Sequence, residues 1–142
     1  MKKRSIISFS IALIMIIAVL GSATASASAL RSSPTLSSYG VIITKGSSTG
    51  KIVITYDVLA NSIADSVGVS SMKIYKSDGS YVTTIRATSL NGFTASGVGS
   101  HRNSYIYTGT SGTSYYAEVI VFATINGVTD SRTVKTNTVA AP

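Results

Sequence analysis

The sequence predicts an all-β fold, an antiparallel β-sandwich of about seven strands, for everything beyond its first 29 residues. Three observations carry this. Ser, Thr, Gly, Tyr and Val dominate that part of the chain, a composition that disfavours long helices and favours strands. Short alternating segments are separated by clusters of Gly, Asn, Asp and Ser, the spacing typical of sandwiches and barrels. Proline occurs only at Pro34 and Pro142, so it blocks no strand between them.

Residues 1–29 follow another pattern. Lys2, Lys3 and Arg4 precede a mostly apolar run from Ile6 to Leu20. Gly21 breaks it, and small residues follow to the overlapping Ala25-Ser26-Ala27 and Ala27-Ser28-Ala29. A basic start, a short apolar middle and a small-residue end are the features of a secretory signal peptide. The positive end stays on the cytoplasmic side, the middle inserts, and the peptidase pockets accept only small side chains. Cleavage after Ala29 fits best, with Ala27 as the alternative. An uncleaved anchor is disfavoured, because the uninterrupted core, Ile11 to Leu20, is short of the ~20 residues a spanning helix needs. Without cysteine there is no site for a lipid-modified cysteine, and no later stretch is apolar enough to span a bilayer. The expectation is a secreted, extracellular protein with no stable membrane anchor after cleavage. Its parts are a signal peptide (1–29), a polar leader (30–38) and a sandwich domain (39–142).

The first 29 residues hold three of the 12 Lys and Arg, so the remaining 113 carry nine bases against five acids, a net charge of +4. The nine bases are scattered singly, whereas nucleic-acid binders cluster theirs, so no nucleic-acid partner is expected. Weak attraction to an anionic wall or membrane surface is compatible with +4, as is ordinary solubility. Absence of cysteine removes disulfides, redox chemistry and cysteine-based metal sites. Burial alone must hold the domain, which a chain of about 110 residues can manage.

The elements follow in order. Val41 to Thr44 reads as a short first strand closed by Gly46-Ser47-Ser48. Lys51 to Leu59 is the clearest strand, with Ile52, Ile54, Tyr56 and Val58 on one face. Asn61 to Gly68 is small and polar apart from Ile63 and Val67, and reads as a loop crossing between sheets, with room for a short helical turn. Ser71 to Lys76 and Tyr81 to Arg86 flank Ser77-Asp78-Gly79-Ser80, where Asp-Gly supplies positive φ angles for a tight hairpin. Ala87 to Asn103 is Gly/Ser-rich and hard to read, with Leu90, Phe93 and Val98 as candidate plugs for an open edge. Ser104 to Thr108 is a strand, Gly109 to Thr113 a loop, and Tyr115 to Thr124 the most apolar strand. Asn126-Gly127 turns the chain back into Val128 to Val139. Seven strands in about 100 residues match the count and spacing of an immunoglobulin-like sandwich.

The run Tyr115-Tyr116-Ala117-Glu118-Val119-Ile120-Val121-Phe122-Ala123, then Asn126-Gly127, Asp130-Ser131-Arg132 and Thr136, resembles the last hairpin of fibronectin type III domains. The Gly109 to Thr113 loop before the tyrosines is similar to the corner that such domains pin with a tyrosine hydroxyl. The chain departs from that family in lacking tryptophan and a proline-rich start, and its aromatic lies further from Ala123. Beyond residue 29 the chain also resembles small, cysteine-free secreted proteins of Gram-positive bacteria. Neither resemblance includes a functional motif, so neither implies a site.

Catalysis is not expected. His101 is the only histidine, beside Arg102 in a stretch that reads as exposed loop. A serine triad with Asp57 or Asp78 lacks a Gly-x-Ser-x-Gly elbow, and abundant Ser is explained by turns and sheet surface. A glycosidase pair would need two of Asp57, Asp65, Asp78, Glu118 and Asp130 to converge across a cleft, yet most sit where turns are expected. Gly97-Val98-Gly99 lacks the strand–turn–helix context of a phosphate loop, and Asp78-Gly79 lacks the further acids of a calcium loop. No cofactor or metal site is expected.

The aromatic residues carry the remaining signal. In Tyr115 to Thr124, one face presents Tyr115, Ala117, Val119, Val121 and Ala123, and the other Tyr116, Ile120 and Phe122, interrupted by Glu118. One face lines the core. The other is a candidate interaction patch, unless a bulge swaps the faces or Ala87–Asn103 folds over it. Tyr39, Tyr75, Tyr81, Tyr105 and Tyr107 are further candidates for such a surface or ordinary strand positions. The functional expectation is a non-catalytic binding or adhesion module whose partner is a cell-surface protein, glycan or wall polymer. A self-assembling structural protein is the alternative, through edge pairing, and a bacteriocin-like toxin ranks below it.

Overall fold

The computed structural model describes residues 33–142. The expected signal peptide, with Ala27 and Ala29, and the start of the leader lie outside the described residues. β1 (Leu36–Lys45), β2 (Lys51–Ala64) and β6 (Val98–Thr108) form one antiparallel sheet in the order β1-β2-β6. β3 (Ser66–Lys76), β4 (Tyr81–Arg86), β7 (Ser114–Ile125) and β8 (Val128–Lys135) form a larger one, ordered β4-β3-β7-β8. Two short strands join it: β5 (Thr94–Ala95) pairs with β3, and β9 (Val139–Ala140) with β7.

Period-two alternation decides how the sheets meet. β1 and β2 bury Val41, Ile43, Ile52, Ile54, Tyr56 and Val58, the face expected of β2. Tyr115, Ala117, Val119, Val121 and Ala123 of β7 are buried as expected, beside Val67, Val69, Met72 and Ile74 of β3. All belong to one apolar cluster, so the two sheets face each other across a common core in a sandwich-like, all-β arrangement. Each large side chain fully buried there contributes roughly 2 kcal/mol.

Four segments differ from expectation. The expected last strand, Val128–Val139, stops at Lys135, where the Thr136 hydroxyl takes over the bond to the Ala117 N–H, and resumes only as β9 at Val139. The first strand begins at Leu36, not Val41, and the end of the polar leader is core: Thr35 and Leu36 are buried, and Thr35 Oγ1 donates to the Ala123 carbonyl (2.8 Å). A bulge between Leu36 and Ser38 breaks the alternation that would have revealed it. The expected crossing loop, Asn61–Gly68, is mostly strand. β2 runs to Ala64 and β3 starts at Ser66, so Asp65 alone separates them. Its N–H donates to the Thr124 carbonyl (2.8 Å), and its carboxylate accepts the Gly127 N–H (3.1 Å). Finally, Ala87–Asn103 resolves into a loop, β5 and the first half of β6. Of the three candidate plugs only Phe93 is buried; Leu90 is 94% exposed and Val98 lies at the surface.

The two hairpins also differ. Asn126 (φ 51°) and Gly127 (φ 75°) both take left-handed angles, as a two-residue type I′ turn requires. At Ser77–Ser80 only Gly79 does (φ 89°). Its N–H donates to the Lys76 carbonyl (2.9 Å), and the Lys76 N–H donates to the Ser80 carbonyl (2.9 Å). That is a turn followed by a glycine bulge, wider than the tight Asp-Gly hairpin expected.

Candidate functional site

Tyr116, Ile120 and Phe122 lie on the outer face of the larger sheet, all half-buried. The β7–β8 register runs without a shift from Glu118–Lys135 to Ile125–Val128, and burial alternates through Thr124. β7 therefore keeps its faces along its length.

Cross-strand register brings further aromatics to this patch. Tyr75 of β3 stands opposite both Tyr81 of β4 and Tyr116 of β7. The Tyr75 and Tyr116 rings stack with centroids 5.2 Å apart and planes 12° apart. Tyr81 meets Tyr75 edge-on at 5.9 Å. From β8, Lys135 Nζ lies 4.2 Å from the centroid of the Tyr116 ring. A Tyr81–Tyr75–Tyr116–Lys135 row thus crosses all four main strands. Each aromatic pair contributes about 0.5–1.5 kcal/mol beyond its burial, and an exposed cation–π contact about 0.5–1 kcal/mol. Desolvation, then the adjacent Glu118 carboxylate, holds the Tyr75 phenol above its usual pKa. Ile120 and Phe122 extend the row along β7, flanked by Thr133 and Ser131 of β8. Because Tyr75 and Lys135 cover the Tyr116 ring, the row offers mainly ring edges and hydroxyls, with the exposed Tyr81 at its end.

The other tyrosines divide. Tyr105 and Tyr107 face the core, packing edge-on against Phe93 (5.6 Å) and Tyr115 (5.7 Å). Tyr39 is exposed on β1. The role of Tyr75 and Tyr81 depends on pairing across the Ser77–Ser80 hairpin, which their near-symmetric placement about Asp78-Gly79 signals in the sequence.

His101 is a strand residue, half-buried, and not part of an exposed loop. Its Nε2 lies 2.7 Å from the Gly92 carbonyl oxygen, and since a carbonyl only accepts, that nitrogen carries the proton. The same oxygen accepts from Asn103 Nδ2 (2.8 Å) and the Tyr56 hydroxyl (3.0 Å). Burial pushes the Tyr56 phenol up to about 12, partly offset by its hydrogen bond with Asn103. These three donors hold the loop carrying Phe93, whose ring packs edge-on against Tyr56 at 6.1 Å. The cluster orders a loop.

The acids are dispersed. Asp57 lies on the outer face of the smaller sheet and Glu118 on that of the larger. Asp78 accepts the Ser80 N–H (2.8 Å), and Asp130 accepts from Ser33 Oγ (2.6 Å) and the Thr35 N–H (3.3 Å). Among the described residues, no group of three or more His, Asp or Glu side chains could hold a metal ion.

The loop before β7 is pinned as expected. Tyr115 is buried, and its hydroxyl accepts the Thr110 N–H (2.9 Å). Gly109 makes room, since a Cβ there would stand 2.7 Å from the Tyr115 ring. No family model matches this chain, and no curated protein matches it.

Proposed function

We propose that this chain is a secreted, non-catalytic binding or adhesion module built on a fibronectin type III-like sandwich. It acts at the cell surface or in extracellular material. Export is supported by the basic, apolar and small-residue pattern of residues 1–29. The family likeness is supported by β4 pairing beside β3 in the sheet of the last hairpin, and by the Tyr115–Thr110 corner. The observation that carries the function is the Tyr81–Tyr75–Tyr116 row with Ile120 and Phe122, on a sheet face open to solvent. Tyrosine edges and hydroxyls, bordered by Ser, Thr and Lys, suit the hydroxyl-rich, partly apolar surface of a glycan or wall polymer.

Retention on whole cells, isolated wall polymers and immobilised glycans tests this. The chain is expected to bind above a control sandwich domain, and Tyr81→Ala with Tyr116→Ala is expected to cut the bound fraction severalfold while leaving the fold intact. Retention no better than the control on every material would remove the reading.

A further inference from the structure

We infer that the outer face of the β1-β2-β6 sheet is the meeting surface of two copies of this chain, with Arg102 of each seated over Gly40 of the other. The face is apolar for one turned to water: Ile42 is 55% exposed and Ile106 57%, with Val53 beside Ile106. What selects a second copy as occupant is self-complementarity. Three successive rows across β1, β2 and β6 read Gly40–Asp57–Arg102, Ile42–Thr55–Ser104 and Thr44–Val53–Ile106. Each row flanks the middle strand with one smaller and one larger residue. A two-fold axis lying between the two copies and running along β2 exchanges β1 with β6 and sets each β2 over its own counterpart, Asp57 over Asp57. It sets Arg102 over the second copy's Gly40, Ile42 over the second copy's Ser104 and Ile106 over the second copy's Thr44. On the two flanking strands large meets small in every row.

Charge follows the same symmetry. Gly40 leaves an open hollow of about 170 Å³, lined by Gly40, Ile42, Thr55, Tyr56, Asp57 and Arg102. A guanidinium entering it from the second copy meets the Asp57 carboxylate. Near the axis, two Asp57 and two Arg102 side chains sum to zero charge. A two-fold pairing of this kind closes on itself and stops at two, unlike edge-to-edge strand addition. Three strands about 4.8 Å apart and about nine residues long at about 3.4 Å each cover roughly 400–450 Å² per copy. That footprint belongs to the weak, transient class of interface.

The test is sedimentation equilibrium on the chain as a producing cell delivers it, up to about 1 mM, since a weak interface populates its dimer only at high concentration. The expected result is a monomer–dimer equilibrium with no larger species. Gly40→Leu fills the hollow. Its Cβ position meets nothing within 4 Å, so the fold tolerates it. It is expected to weaken association at least about tenfold, the effect of spoiling the centre of a small interface. Asp57→Arg and Arg102→Asp are each expected to be monomeric alone, because all four charges about the axis then have the same sign, with nothing to offset the pair facing across β2. An equimolar mixture of the two is expected to form a one-to-one dimer. A wild type monomeric throughout, a Gly40→Leu variant associating as the wild type does, or a mixture that stays monomeric would each overturn the inference. Tyr116→Ala, on the opposite sheet, is expected to leave the equilibrium unchanged, so failure here is separable from failure of the ligand-binding reading.

Discussion

Tyr115 and Tyr56 show how one residue type serves two ends according to what its hydroxyl reaches. Tyr115 accepts the Thr110 N–H and fixes the loop between β6 and β7. Phenylalanine keeps the buried ring and loses the acceptor. Tyr115→Phe is therefore expected to cost about 1 kcal/mol and lower the melting temperature by about 4–8 °C. An unchanged melting temperature would mean that water replaces the hydroxyl fully. Tyr56 donates to Gly92, and its folded pKa of about 12 lies above the ordinary value of 10. The neutral form is thus the one that folding favours. Its contribution is whole below about pH 10 and is lost as pH rises toward 12. Stability measured by denaturant titration at stepped alkaline pH is expected to fall less steeply across that window in Tyr56→Phe than in the wild type. Equal slopes would contradict this assignment.

At the scale of elements, what was legible in the sequence depended on whether alternation survives. β2 and β7 keep one parity along their apolar stretches, and their buried faces were readable. β3 does not. The ladder shifts between Val69 and Ser71, so inward residues change from Val67 and Val69 to Met72 and Ile74. Only the half beyond the shift could be read. The start of β6 was hidden for another reason: its inward residues His101 and Asn103 are polar, because they hold the Gly92 carbonyl instead of packing as aliphatics. Tyr116, Ile120 and Phe122 were visible from β7 alone. Tyr75 and Tyr81 stood among five candidate tyrosines, and placing them and Lys135 beside Tyr116 needed the β3–β7 and β7–β8 pairings. Between β5 and the core, Phe93 is the anchor. Its carbonyl accepts the Val69 N–H (2.9 Å), and Gly68 passes so close that no side chain fits there. Phe93→Ala is expected to cost about 3–5 kcal/mol in chemical denaturation, with earliest loss of protection in residues 87–97. A cost below about 1 kcal/mol would show that the loop does not depend on this ring.

At the scale of the whole molecule, the sandwich separates two surfaces and guards one margin. The β1 edge would otherwise present unpaired backbone groups to a further strand. Asn137 covers it. Its Oδ1 accepts the Ile43 N–H (3.1 Å), and its Nδ2 donates to the Ile43 carbonyl (3.0 Å), as a neighbouring strand would. The proposed places for contact are the outer faces: the tyrosine row on the larger sheet for an outside ligand, and the Gly40–Arg102 face on the smaller for a second copy. The tyrosine row is the proposed ligand surface. Backbone amide chemical-shift mapping of the isotopically labelled chain, titrated with soluble wall-polymer fragments and glycans, tests it most directly. Shifts are predicted to gather on outward residues of β4, β3, β7 and β8 around Tyr75, Tyr81 and Tyr116, with the outer face of β1, β2 and β6 silent. Shifts gathering anywhere else, or none at any ligand concentration, would contradict it.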